Sequence, residues 1–167
     1  MAAALIEFTG GAKLQAALEK IADDAGKGKT LSVGFMSGAK YPDGTNVAMV
    51  AAIQNFGAPE ANIPARPFFS NMVKAKSPGW GKDLGNALVV TRFDGETALG
   101  LMGEVIGSDL QTSIIETNEP ELSPATIAAK GFAKPLIDTG VMLNSVSYDV
   151  DGERTDMQGP DISGLKS

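Results

Sequence analysis

The amino-acid sequence predicts an α+β fold, in which a small, mostly antiparallel sheet packs against several helices. Leu31–Phe35 and Val146–Val150 alternate apolar residues with small or polar ones, the two-residue period of half-buried strands. Elsewhere apolar residues recur every three or four positions, as in amphipathic helices. A chain of 167 residues is long enough to bury one core. The sequence also predicts proline-rich and C-terminal extensions.

The first elements predicted are a strand, a helix and a second strand. The strand covers Ala4–Phe8, where Ala4, Ile6 and Phe8 fall on one side. Over Ala12–Asp24, apolar residues at helical spacing predict an amphipathic helix. The second strand is Leu31–Phe35.

The next helix is expected to begin at a Thr45 or Asn46 cap and to end at Gly57. Its predicted inward face consists of Val47, Val50, Ala51 and Phe56. The segment after it contains three prolines and is expected to be extended and to form an edge or a contact.

Phe68 begins a predicted third helix that runs to about Lys76, and Ser77–Pro78 restarts a fourth. The run 88–93 is interpreted as helix, with strand as the alternative because β-branched residues favour strands.

The longest periodic stretch, Glu96–Glu116, predicts a helix that follows the chain break at Asp94-Gly95. The glycines within it, Gly100, Gly103 and Gly107, are spaced so that another element could approach closely. A shorter helix is predicted from Ser123 to Lys130.

The closing segment is predicted to be a turn, a helical turn and a strand. Lys134-Pro135 ends the preceding helix, and Asp138 and Thr139 can cap a short helix over 140–144. Periodicity is lost after Asp151-Gly152. We therefore predict one domain over residues 1–152, with residues 153–167 as a flexible tail or an arm that orders against a partner.

Composition argues against catalysis and against cofactor or metal binding. The chain has no histidine and no cysteine, so the usual general base, the thiolate nucleophile and the commonest metal ligands are missing. Its net charge of −6 is not that of a nucleic-acid-binding surface. No apolar run approaches the length of a membrane span. We expect no enzyme activity, no cofactor, no metal and no membrane partner.

Several sequence blocks, taken together and in order, resemble the pattern of tailed-bacteriophage virion morphogenesis proteins, the neck and tail-completion proteins that join head to tail. The resemblance spans about Leu5 to Val150. The blocks that carry it are Gln54–Gly57, Ile63–Phe69, Leu122–Thr126, Lys134–Gly140 and Leu143–Val146.

The resemblance implies a virion structural protein that is made in the host cytoplasm and assembles as a ring in the neck, around the DNA channel. Its implied partners are other copies of itself, as a hexamer or dodecamer, a head-side adaptor or portal complex, and the tail tube or its terminator. DNA would pass through the acidic lumen without sequence-specific binding. One alternative is a tail terminator or other minor tail protein that caps the tail tube. Another is a small cytosolic binding module or enzyme.

The predicted subunit or partner interface includes a proline-flanked arginine. Arg66 lies between Pro64 and Pro67, in a rigid loop that could present its guanidinium to a carboxylate of a neighbouring subunit. The alternatives are a local ion pair or a solvated side chain. Phe68 and Phe69 are expected to serve the core on one side and an interface on the other. The other predicted interface residues are Ile63, Lys134, Asp138 and Thr139.

Overall fold

The computed structural model describes residues 15, 16, 19, 28–131, 134–137 and 139–165. The predicted strand Ala4–Phe8 lies outside these residues. The predicted helix Ala12–Asp24 is described only at Gln15, Ala16 and Glu19, which are helical.

The predicted α+β class is confirmed: within the described residues, five helices accompany one three-stranded antiparallel sheet. The strands are β1 (Leu31–Phe35), β2 (Val146–Val150) and β3 (Glu153–Asp156). The helices are α1 (Val47–Phe56), α2 (Phe68–Val90), α3 (Gly95–Glu116), α4 (Pro124–Lys130) and α5 (Val141–Asn144). Short 3₁₀ turns occupy Pro59–Ala61 and Ser163–Leu165.

The sheet has the order β1-β2-β3, so β2 is central. Val33 of β1 lies opposite Tyr148 of β2, and Phe35 lies opposite Val146. The apolar residues of both strands therefore share one face, against which α3 packs. Val146, Tyr148 and Val150 are buried, as the alternating pattern predicts.

The longest predicted helix is confirmed as α3. Asp94 caps it by accepting hydrogen bonds from the backbone N–H groups of Glu96 (3.1 Å) and Thr97 (3.1 Å). Its buried residues include Met102, Ile106, Leu110 and Ile114. Two of its glycines lie where neighbouring side chains come close: a Cβ at Gly103 would meet the Tyr148 ring, and one at Gly107 would meet the Met157 side chain. At Gly100 a Cβ would meet nothing within 4 Å, so no close approach occurs there.

The prediction of separate helices on either side of Pro78 is wrong, because α2 is continuous from Phe68 to Val90. A proline costs a helix one hydrogen bond, to the carbonyl four residues earlier. That carbonyl belongs to Lys74, which is exposed, so water can replace the lost donor. The helical interpretation of the run 88–93 holds as far as Val90, and a turn follows it.

The inward face of α1 differs from the prediction at its C-terminal end. Val47 and Ala51 are buried as expected, but Phe56 is 74% exposed and Asn55 is buried instead. Residues 47, 51 and 55 are four apart and share one side of the helix, which Phe56 does not.

The boundary predicted at residue 152 is also wrong, because Glu153–Asp156 forms β3 and pairs with β2. Asp151 and Gly152 form the connecting turn with positive φ, the conformation that tight hairpins require. Every residue of β3 is exposed, so its sequence lacks the alternation of apolar and polar residues that predicts a half-buried strand. Beyond it, Met157 and Ile162 pack against the core, and the Gly159 N–H donates to Asn144 Oδ1 (3.0 Å).

Candidate functional site

A cavity of about 400 Å³ opens between the loop before α1, the C-terminal half of α1, the start of α4 and the start of α5. Among the described residues, its wall combines the cation of Arg66, the carboxylate of Asp43, several hydroxyl groups and an apolar floor. The residues that line the cavity include Tyr41, Asp43, Thr45, Gln54, Arg66, Leu122, Thr126, Pro135, Leu136, Thr139 and Gly140.

A tight turn after α1 brings Arg66 to this cavity. The helix ends at Gly57, whose φ of 77° favours glycine, and a Cβ there would lie 2.8 Å from the Ala65 nitrogen. The chain folds back through the 3₁₀ turn, and Ala58 forms an antiparallel bridge with Ile63. The Arg66 N–H then donates to the Gln54 carbonyl (2.7 Å), which fixes the backbone beside the helix end.

Arg66 is only 5% exposed, and its guanidinium donates to oxygen atoms of this chain. Nε donates to the Pro120 carbonyl (3.0 Å), Nη1 to Gln54 Oε1 (3.2 Å) and Nη2 to the Glu121 carbonyl (3.5 Å). Arg66 is therefore not solvated, and among the described residues it forms no ion pair. Burial lowers the pKa of this guanidinium, which nevertheless remains a cation.

The loop at residues 41–45 supplies the carboxylate of the cavity. The Tyr41 N–H donates to the Thr45 carbonyl (2.9 Å), and the Gly44 N–H donates to the Tyr41 carbonyl (2.9 Å). Asp43 Oδ1 accepts the backbone N–H of Thr45 (2.9 Å), and this hydrogen bond is the main cause that lowers the pKa of Asp43. The loop is thus tied to itself rather than to Arg66.

Phe68 and Phe69 begin α2 and face the interior rather than the cavity. Phe68 is fully buried and meets Phe35 edge to face, with ring centroids 6.3 Å apart. Phe69 is half-buried. Asn55 of α1 caps this helix from outside it, because its Oδ1 accepts the N–H groups of Phe69 (3.0 Å) and Ser70 (3.1 Å).

The remaining predicted interface residues lie in three places. Ile63 is half-buried in the bridge with Ala58. Lys134 Nζ donates to Asn118 Oδ1 (3.0 Å) and to the Ile115 carbonyl (3.4 Å), at the C-terminal end of α3, where a cation is favourable. Thr139 is exposed and lines the cavity, whereas Asp138 lies outside the described residues. The structure thus brings Arg66 and Thr139 to one cavity, whereas Ile63, Phe68, Phe69 and Lys134 do not line it.

The sequence interpretation missed Gln54 and Asn55, which position Arg66 and the start of α2. The sequence does contain a signal for them: this polar pair interrupts an otherwise apolar helix just before a glycine, where side chains can bond to neighbouring backbone. It also missed Asp43 and Thr45 as cavity residues. They precede Arg66 by about twenty positions, and no sequence pattern places them in the same cavity.

Exposed large apolar side chains of the described residues lie on α1, at the turn between α2 and α3, and at Leu101 and Val105 of α3. Met49 and Phe56 project from α1. Val89, Val90 and Phe93 project from the turn between α2 and α3. Isolated exposed apolar residues are common, but large ones grouped on a helix or at a turn are typical of contact surfaces.

The arrangement is suited to binding a polar group. In the part of the chain that the structure describes, no three acidic, histidine or cysteine side chains come together to hold a metal ion. No described helix is both long enough and apolar enough to cross a bilayer. The cavity offers a buried cation, a carboxylate at Asp43, hydroxyl groups and an apolar floor, and the cation and hydroxyl groups are donors that a carboxylate on an apolar stem can use.

Comparison of the chain with protein-family models, with curated proteins and with solved structures finds no match. The resemblance to virion morphogenesis proteins therefore rests on the sequence blocks alone.

Proposed function

We propose that this chain is a non-catalytic structural subunit of a tailed-phage virion, which assembles as a ring in the neck and joins the head connector to the tail around the DNA channel. The observation that best supports this proposal is that distant sequence blocks meet at one cavity. Four of the five blocks that carry the resemblance contribute to the wall of one cavity, although they are spread over the chain. Their contributions are Gln54, Arg66, Leu122, Thr126, Pro135, Leu136, Thr139 and Gly140.

Arg66 gives this cavity a role in contacts between subunits. A buried cation is costly unless an opposite charge compensates it, and the described acceptors of Arg66 are all neutral oxygens. A carboxylate from a neighbouring subunit that entered the cavity would supply the missing charge. Such a contact joins different patches on two copies, and repetition of a contact of this kind closes a ring or extends a filament.

Surface composition supports assembly and passage of DNA. The exposed Phe56 and Met49 on α1 are candidates for burial between copies. Twenty acidic residues against fourteen basic ones give the surface a net negative charge, which repels a phosphate backbone. A ring built from such subunits would allow DNA to move through it without being held.

Native mass spectrometry of the full chain, with two matched variants, tests the proposal. We expect the parent to form one closed oligomer. Thr139→Arg adds a bulky cation at the cavity mouth, so it should shift the population toward monomer. Thr112→Arg makes the same substitution at an exposed position of α3 and should leave the oligomer intact. A parent chain that remains a monomer at tens of micromolar, or equal assembly of both variants, would contradict the proposal.

A further inference from the structure

A second, apolar groove of about 450 Å³ lies between β1, α2 and α3, apart from the Arg66 cavity. Leu31 and Val33 of β1 form one wall and are only half-buried. The opposite walls are apolar side chains of the two helices, namely Phe69, Met72, Val73, Trp80, Leu84, Leu99, Met102 and Ile106. The groove exposes core-like surface to solvent.

The groove lies beside an edge of β1 that no described strand covers. β1 pairs with β2 on one side, and no strand within the described residues pairs with its other side. No residue of β2 lines the groove, so the groove lies toward that unpaired edge. An unpaired edge presents a row of N–H and C=O groups that can accept another strand. A strand added there would direct every second side chain into the groove.

Trp80 supplies a further sign of an absent neighbour. Its side chain is half-buried in the groove wall, and its buried Nε1 has no hydrogen-bond partner in the described part of the chain. A buried indole N–H usually finds an acceptor.

We propose that this groove and the free edge of β1 bind Ala4–Phe8 of the same chain as an added strand, with Ala4, Ile6 and Phe8 directed into the groove. The three side chains are apolar and alternate, which matches the period that the edge of β1 demands. Leu5 and Glu7 would face the other way. This inference concerns the completion of the subunit and does not depend on the proposed ring.

The position and length of the preceding chain favour binding within one molecule. The amphipathic pattern over Ala12–Asp24 predicts a helix of about 20 Å. A five-residue strand is about 17 Å long, so a helix of that length would return the chain to the starting end of β1, as a parallel neighbour requires. The groove-lining strand then begins at Leu31, a few residues after the helical pattern ends.

Disulfide trapping tests this placement directly, because the chain contains no cysteine of its own. Val33→Cys would be combined in the full chain with Ala4→Cys, Ile6→Cys or Phe8→Cys, so that each register of the added strand is sampled. The control pairs Val33→Cys with Leu5→Cys, which points to the other side. Mild oxidation followed by non-reducing electrophoresis separates crosslinked monomers from covalent dimers.

At least one of the three pairs should form a crosslinked monomer at ten times the yield of the control or more. Crosslinking no better than the control would overturn the proposal. Covalent dimers without crosslinked monomers would also overturn it, because the strand would then come from another copy.

The single tryptophan provides an independent readout, since Trp80 lines the groove. Phe8→Asp in the full chain should weaken strand binding, shift the emission of Trp80 to longer wavelength and increase its quenching by acrylamide at least twofold. Leu5→Asp introduces the same charge on the opposite side and should change neither. Equal quenching of the two variants would count against the proposal.

Discussion

The contact between α3 and β2 makes a prediction that two matched substitutions can test. Gly103 faces the buried Tyr148, and a Cβ added at Gly103 would lie 2.5 Å from both Cγ and Cδ2 of that ring. Carbon atoms in contact normally lie about 3.5–4.0 Å apart. The ring is held next to its own backbone and cannot swing aside as the end of a long side chain could. Gly103→Ala must therefore displace the strand or the helix.

The magnitude follows from two opposing effects. Overpacking a core costs about 1–3 kcal/mol. Alanine in place of glycine within a helix recovers up to about 1 kcal/mol. With the full offset, Gly103→Ala should therefore destabilise the protein by up to about 2 kcal/mol, and for a chain of this size each kcal/mol lowers Tm by about 2–4 °C. Gly100→Ala, in the same helix with nothing within 4 Å, should stabilise by up to about 1 kcal/mol.

Urea unfolding followed by circular dichroism measures both effects at one protein concentration. The two substitutions are expected to move the urea midpoint of unfolding in opposite directions. If Gly103→Ala is as stable as Gly100→Ala, α3 does not pack against β2 at the distance described. Truncating the ring with Tyr148→Ala should remove most of the difference between the two alanine variants, because the clash would then be absent.

Three further predictions concern the cavity and the C-terminal segment. Arg66→Ala should lower the free energy of unfolding by about 1.5–3 kcal/mol, since three oxygen acceptors around this buried side chain lose a charged donor; Arg66→Lys should recover less than half, and a variant as stable as the parent in urea would contradict this. Removal of residues 157–167 should cost about 1–3 kcal/mol through lost packing of Met157 and Ile162, and an unchanged unfolding midpoint would show that these contacts do not form. The hydrogen bond from the Thr45 N–H holds the pKa of Asp43 below its ordinary value of about 4, so its stabilising effect is present above that value and is lost as pH falls through the lowered pKa. The Thr45 amide resonance should titrate with that lowered pKa, and an ordinary midpoint near 4 would refute the contact.

The sequence predicts elements whose signals are local. α3 combines a strong cap at Asp94 with a long apolar period, and β2 alternates cleanly, so both are where they were expected. The prediction that the helix ends at Pro78 was wrong because it considered only the hydrogen bond that proline removes. Whether the helix continues depends on whether water can reach the carbonyl that loses this bond. β3 was not predicted because this exposed edge strand carries charged residues on both faces.

The cavity could be predicted only in part. The prolines around Arg66 indicate a rigid loop, but its acceptors at Pro120 and Glu121 lie more than fifty positions away along the chain. No periodic pattern relates such distant positions. The capping of α2 by Asn55 could not be predicted from the sequence either. It depends on the turn at Gly57, which places α1 and α2 side by side.

Reconstruction of the neck by electron cryomicroscopy, in virions that contain this chain, tests the proposed function most directly. The account predicts a closed symmetric ring of identical copies between head and tail, with the Arg66 cavity of each copy occupied by an acidic side chain of its neighbour. A single copy in the particle, or a ring in which the cavity faces solvent, would contradict it.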